Sequence, residues 1–314
     1  MKKILAAVVS VLLVAAMAVS FAACSKGDPV KVIDVSLSGE PYGYCYDKEN
    51  KEIEDAINQL IFDLCGSQEF NPEIEGSGSD AKGVLYDYDG DGTPETVTFK
   101  DLYEYENGNN PVRTVSALTE VPNGEEDNCL VVATNAAFPP FEDVQGDKFS
   151  GIDMQIAQML ANRLGKKLVI RNMEFDVIIK DVETGKSDIG MAGFTISKGR
   201  EELVTFSNPY YRTSQRIAVL KSETAFDNCK TEADVRAVIE GMGKVKGGAA
   251  DGQTGYYYLA GSDDFGFEKF ENVEIKGYSE IALAVKDLSN GKVKFVVGDR
   301  DTINDAVDSI NDTL

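Results

Sequence analysis

The stretch from Leu130 to Leu220 constrains the fold more than any other part of the chain. It begins LVVATNAAFPPFEDV, continues through GDKFSGIDMQIAQMLANRLG and MEFDVII, and ends DIGMAGFTISKGREELVTFSNPYYRTSQRIAVL. Residues 131–134 are β-branched or small, and Ile152, Ile156, Leu160 and Leu164 recur at helical spacing. Residues 167–170 and 189–192 read as two further strands. Strands alternating with helices imply an α/β fold with a mostly parallel sheet, and such sheets hold ligands beyond the carboxyl ends of their strands. Three residue sets fall at those ends: Phe138 in AFPPF, Phe175 in MEFD, and Gly193, Thr195 and Arg200 in AGFTISKGR. Aromatic faces, a hydroxyl, free backbone groups and one arginine suit a small zwitterion better than a catalytic reaction.

FPPFE, the G-x-D at Gly151 to Asp153, EFD, AGFTIS, the arginine at 200 and FSNPYY occur in that order. Together they resemble the first lobe of the polar amino-acid-binding proteins of ABC importers, the family 3 extracellular solute-binding proteins. The resemblance implies a periplasmic-binding-protein-like type II fold, two α/β lobes joined by a two-strand hinge. It implies that Arg200 grips a ligand carboxylate, with Thr195 and the helix start at Thr254 adding donors. Asp299 and the Gly193 carbonyl would accept from the ligand ammonium, and Phe138 and Phe175 would flank its side chain. Asn135 stands where members that bind cationic amino acids often carry aspartate, which favours a polar or small neutral ligand. Phe141 and Phe194 read as core. An ABC permease is the implied partner.

Residues 1–23 read as an export signal: Lys2 and Lys3, an apolar run from Ile4 to Val19, then FAAC. A transmembrane anchor is the competing reading, but the run is short and a cysteine follows small residues. The segment looks like a bacterial lipobox with Phe21 in place of the usual aliphatic residue. Lipidation of Cys24 would tether a soluble chain through residues 24–29, at the extracytoplasmic face of the cell membrane. At least two acyl chains would be needed for stable attachment. The net charge of the chain is −22, and loss of the signal removes two lysines and no acid, leaving −24. That balance argues against nucleic acid. The sequence has no histidine, which excludes Ser-His-Asp and Cys-His catalysis and histidine-ligated metals. No cofactor is required, and a monomer is expected.

Four cysteines remain, Cys45, Cys65, Cys129 and Cys229. They could form disulfides in any of three pairings or stand as buried thiols. On a two-lobe fold Cys229 lies apart from the other three, and a bridge to it would oppose hinge motion, so it is expected unpaired.

Residues 30–35 and 42–46 read as strands. Ile53, Ala56, Ile57, Leu60, Ile61 and Leu64 then form an amphipathic helical stripe. In the related family this block looks like the C-terminal end, yet here it precedes everything else. The economical inference is a circular permutation. Lobe one would be residues 42–212, and lobe two residues 30–37 plus 214–314, with crossings near 38–41 and 212–214. Residues near 28 and 314 would then lie close together. An unrelated N-terminal addition with a truncated C-terminus is the alternative, but it would leave a sheet edge uncovered.

The old termini would be joined by an insert, residues 66–128, rich in Gly, Asn, Asp and Glu. Residues 67–82 read as loop, followed by a strand, an acidic turn and a second strand over 96–105. Asp87, Asp89 and Asp91 alternate, Gly92 permits a sharp bend, Thr93 offers its carbonyl and Glu95 follows. This is the order of calcium turns between β-strands, and structural Ca2+ is expected there, although an Asp-Gly hairpin needing no metal also fits.

In the second lobe, residues 231–241 read as a capped helix. Strands follow from Val245, at 273–278 and at 294–297, with a helix over 279–288 and Gly298-Asp299 at a strand's carboxyl end. Two other functions remain on such a fold: a dehydratase-like enzyme acting on a small carboxylate, for which Glu174 or Asp176 would have to turn inward, and a sensory ligand-binding protein.

Overall fold

A computed structural model describes residues 30–313. The export signal 1–23, Cys24 and the tether 24–29 lie outside the described residues.

Two five-stranded sheets build two lobes. In the first, Lys167–Asn172, Cys129–Thr134 and Ile189–Gly190 run parallel, and Cys45–Tyr46 and Thr205–Phe206 extend the sheet antiparallel. Helix Lys51–Cys65 starts where the Asn50 side chain accepts from the Ile53 N–H at 3.1 Å. Its stripe (Ile53, Ile57, Leu60, Ile61, Leu64) is buried in one core with helix Ile152–Leu164. Gly165, in the left-handed conformation with φ +65°, ends the latter helix. Helix Phe175–Glu183 covers the opposite face, burying Ile178 and Val182 against Cys45 and Phe194.

The second sheet has the order Val30–Ile33, Gln215–Leu220, Phe295–Asp299, Val245–Ala250, Val273–Tyr278. Its first strand is antiparallel to Gln215–Leu220. Helices Glu232–Glu240 and Thr254–Ala260 contribute to one of its two cores, and Ile281–Ser289 and Arg300–Thr313 to the other. Residues 28 and 314 lie outside the described part, but Val30 and Asn311 meet directly. The Val30 N–H donates to Asn311 Oδ1, and Asn311 Nδ2 donates back to the Val30 carbonyl, each at 3.0 Å.

Residues 42–46 do not form one strand. Glu40–Tyr42 pairs antiparallel with Tyr211–Thr213 as the hinge, whereas Cys45–Tyr46 joins the first sheet. The break falls at Gly43, where a Cβ would sit 2.9 Å from the Ile196 side chain. Residues 96–105 are likewise not a strand. The hairpin strand ends at Val97, and Phe99–Glu106 is a helix. Thr98 and Asp101 form a reciprocal capping box there, and Phe99 and Leu102 bury one turn apart. That local chemistry outweighs the aromatic content that suggested a strand.

The insert braces the hinge. Phe70 adds to its ladder, donating to the Tyr210 carbonyl at 3.0 Å and accepting from Arg212 at 2.9 Å. Glu69 pairs with Arg212, while Glu73 takes Arg216 at 2.7 Å and Arg300 at 3.3 Å, both from the second lobe. Tyr103 donates to Asp301 at 3.0 Å.

All four cysteines described are free and buried. Burial pushes the Cys45 thiol up to about 12. Cys65 donates to the Tyr210 carbonyl at 3.4 Å.

Candidate functional site

The strand ends of both sheets face each other across the hinge. Phe138, Phe175, Gly193, Thr195, Arg200, Thr254 and Asp299 line one cleft, together with Ala192 and Gln253. Asn135 is not among them. Its Nδ2 instead donates to the Met173 carbonyl at 2.9 Å, tying together the turns after two adjacent strands. Phe141 and Phe194 are core residues, 1% and 0% exposed.

Arg200 sits on a single helical turn, Lys198–Glu201, opened by the Ser197 cap. Its Nη1 donates to the Thr195 carbonyl at 2.8 Å, and its Nη2 reaches across the cleft to the Gly252 carbonyl at 3.2 Å. The guanidinium lies 5.5–5.6 Å from the ring centroids of Phe175, Phe194 and Phe265. These faces orient a planar cation whose two terminal nitrogens are held by the Thr195 and Gly252 carbonyls. Gly193 has φ +54°, and a Cβ there would come within 2.7 Å of the Phe138 ring, so only glycine fits.

Thr195 and Thr254 come from opposite lobes, and their hydroxyl oxygens are 2.9 Å apart. The Thr195 hydroxyl donates to Glu40 Oε2 at 2.8 Å. Asp299 accepts from the Tyr42 hydroxyl. Burial, followed by the nearby charge of Glu40, pushes the Asp299 carboxyl up to about 7. Burial likewise raises Glu40. The free volume within the cleft is about 10 Å3, room for roughly one water. Entry of any ligand larger than a water therefore requires the lobes to part. A larger concavity of about 550 Å3 lies between the insert and lobe one, near Tyr86, Leu118 and Lys167, and contains none of these residues.

Sequence reading missed Glu40, Tyr42, Gln253 and Phe265. Glu40 carried one usable signal, as the only acid in the crossing 38–41. Glu174 and Asp176, the acids an enzyme would need turned inward, are both exposed.

The acidic turn is separate, on the hairpin Val84–Tyr86/Glu95–Val97. Asp87, Asp89 and Asp91 each place a carboxylate oxygen within 4.8 Å of the others. Asp89 accepts from the Asp91 N–H, Asp87 from Gly92 and Asp91 from Thr93. Asp87 Oδ1 is buried without a hydrogen-bond partner. Partial desolvation and then the three aspartates raise the Glu95 carboxyl.

Two α/β lobes thus meet over an arginine-centred cleft. The model of the bacterial extracellular solute-binding proteins, family 3, matches residues 130–312, and the chain belongs to that family. The chain is 30% identical over 172 residues to a probable histidine-binding protein of Neisseria gonorrhoeae, covering 54% of this chain and 58% of that one. It is 27% identical over 172 residues to ABC transporter arginine-binding protein 1 of Escherichia coli, covering 54% and 63%. An L-cystine-binding protein of Escherichia coli is 26% identical over 192 residues, covering 60% and 66%. The chain thus spans about three fifths of the length of the first curated relatives it matches. Among solved structures, the arginine-bound form of a truncated arginine-binding protein from T. maritima is similar, with TM-score 0.49 and 28% identity, over 59% of this chain and 80% of that one.

Proposed function

We propose that this protein captures an amino acid between its lobes and delivers it to an ABC permease. The observation that carries the reading is the convergence of Arg200, Thr195, Thr254 and Asp299 from both lobes on one closed cleft. Arg200 forks onto the α-carboxylate, the two threonines add donors, and Asp299 with the Gly193 carbonyl takes the ammonium. Contacts to both lobes favour the closed state, so ligand affinity drives closure. Relatives named for binding histidine, arginine and cystine support an amino-acid ligand. The exposure of Glu174 and Asp176 leaves the enzyme alternative without the inward acid it required. Anchoring through a lipidated Cys24 completes the reading, and the mass of the mature N-terminal peptide checks it.

The acidic turn holds Ca2+ through Asp87, Asp89 and Asp91, with Thr93 and Glu95 beside them. The buried, unpartnered Asp87 oxygen supports that assignment. A bound cation would stiffen the hairpin that leads into helix Phe99–Glu106. One thermal-shift screen of the mature chain against the twenty amino acids, with and without Ca2+, tests both readings. A shift from one or a few amino acids is expected in the first arm and a calcium shift in the second. A folded sample that ignores every amino acid would overturn the capture reading, and one that ignores Ca2+ would remove the metal.

The chain order is also permuted. The family model starts at residue 130, yet Val30–Ile33 and Cys45–Tyr46 are strands of the two lobe sheets, and Val30 bonds to Asn311. A re-cut chain starting at Cys129, with a short linker from Thr313 to Val30, is expected to fold and melt cooperatively. An unfolded product would argue that residues 30–128 are an addition with its own role in folding.

A further inference from the structure

The insert, residues 66–128, touches the second lobe as well as the hinge, and none of the described residues lining the cleft belongs to it. Tyr211–Thr213 pairs with Glu40–Tyr42 along one edge, and Phe70 bonds along the other, so a third chain segment reinforces the two hinge strands. Phe70, Phe99 and Leu102 are buried in the core of lobe one, which fixes this part of the insert to that lobe. Glu73 is presented from a turn in which its N–H donates to Asn71 Oδ1 at 2.9 Å. Tyr103 stands on helix Phe99–Glu106, its ring centroid 5.4 Å from that of Phe70.

Lobe two meets these residues with two arginines and an aspartate. Arg216 Nη2 donates to Glu73 Oε1 at 2.7 Å, and Arg300 Nη1 lies 3.3 Å from Glu73 Oε2. The side chains of Arg216 and Arg300 are only 5% and 10% exposed, so two buried guanidinium groups share one carboxylate. The other acid paired with Arg216 is Asp34, at 3.6 Å and with its side chain fully exposed. Arg300 Nη1 has no hydrogen bond of its own. An exposed ion pair contributes little, but removing the shared partner of two buried cations leaves their charge uncompensated. Tyr103 and Tyr211 donate to the two carboxylate oxygens of Asp301, at 3.0 and 2.6 Å. Arg300 and Asp301 directly follow Asp299, so the insert grips the segment that carries a cleft residue.

Glu73 and Tyr103 move with lobe one, whereas Arg216, Arg300 and Asp301 move with lobe two. Parting the lobes turns one set against the other, and hydrogen bonds weaken steeply once misaligned. These contacts therefore favour the closed arrangement. We propose that the insert is an interlobe latch that slows ligand release. Glu73 and Tyr103 are its positioning residues, acting through Arg216, Arg300 and Asp301. The inference rests on the capture reading above and adds to it a control of residence time. Phe70, Glu73 and Tyr103 all precede the matched stretch 130–312, so the latch belongs to the insert and not to the part of the chain shared with the family.

Small-angle X-ray scattering of the mature chain without added amino acid, native and carrying Glu73→Gln with Tyr103→Phe, tests the latch. The radius of gyration of the double variant is expected to rise by on the order of 1 Å, against roughly 19 Å for a compact chain of this size. An unchanged radius in a folded variant would overturn the latch. Stopped-flow release of L-arginine, L-histidine or L-cystine, the amino acids for which relatives are named, supplies the second readout. Dissociation is expected to quicken by about tenfold in the variant, with association changed far less. Equal dissociation rates would remove the control of residence time. A purely structural loss would lower the melting temperature and move neither readout, which also overturns the proposal. The scattering comparison needs no ligand, so failure of all three amino acids to bind the native chain would count against the capture reading and not against the latch. Should the double variant fail to fold, Glu73→Gln and Tyr103→Phe are scored singly by the same readouts.

Discussion

Replacing Arg200 with alanine is expected to weaken amino-acid binding by roughly a hundredfold or more, because a carboxylate enclosed in the cleft would lose its charged, forked donor. The side chain bonds to the carbonyls of Thr195 and Gly252, so it also links the lobes in the closed form. Neither sheet depends on it, and the melting temperature without ligand should fall by no more than a few degrees. Arg200→Lys separates charge from geometry. A lysine keeps the positive charge but has no planar fork and sits less well between the rings of Phe175, Phe194 and Phe265. Most of the affinity is therefore expected to be lost in that variant too. Titration calorimetry reads both effects, and a folded Arg200→Ala chain that still binds its ligand would dismantle the proposed site.

A second large effect is a dependence of stability on pH that runs opposite to ordinary acid denaturation. Asp153 and Glu142 lie together in the core of lobe one, 0% and 1% exposed. Burial, partly offset by donors from Tyr44, Gly193 and Tyr210, holds the Asp153 carboxyl up at about 7. Burial, with the adjacent Asp153 charge, drives Glu142 well above the usual carboxylate range. Asp299 is raised in the same sense, to about 7. The unfolded chain releases these protons near pH ~4, whereas the native chain keeps them. Between about pH 4 and 7 the native state therefore binds more protons, and stability falls as pH rises through that window. The contribution is complete below the unfolded pKa and is lost above the folded one. A melting temperature higher at pH 5 than at pH 8, by on the order of 5 °C, is the expected result. The overall charge of −22 acts in the same direction, so the control is Glu142→Gln, which keeps the shape and removes one titration. That variant is expected to flatten the dependence; a slope identical to the native one would assign the effect to general charge repulsion.

This acid pair also supports the ligand site. Asp153 accepts from the Gly193 N–H at 3.3 Å and from the hydroxyls of Tyr44 and Tyr210 at 2.9 and 3.0 Å. Gly193 in turn packs against Phe138, so the core network positions a backbone turn that lines the cleft. The G-x-D motif was legible in the sequence, but this use of its aspartate was not.

The cleft residues that could be read from the chain share a property. Arg200, Thr195, Phe175 and Asp299 stand where a strand ends or a helix begins, and those boundaries are written in local spacing and capping residues. The hydrophobic stripe of helix Lys51–Cys65 was legible for the same reason. Where local signals competed, reading was less secure. In residues 96–105 the aromatics suggested a strand, while the Thr98–Asp101 box and the Phe99/Leu102 spacing produced a helix.

By itself the sequence determined the alternation of strands and helices, the arginine-centred cleft, the acidic turn and the absence of histidine chemistry. Tertiary structure alone decided that Asn135 braces a turn, that the insert adds Phe70 and Glu73 to the hinge, and that Glu40 stands beside Thr195 and Gln215. Those contacts join residues more than a hundred positions apart, apart from the Asn135 brace, which spans 38. Spacing along a chain reports which side chains share a local face. Which distant carboxylate a closing hinge buries depends on how two lobes meet, and the residues around Glu40 carry no local mark of it.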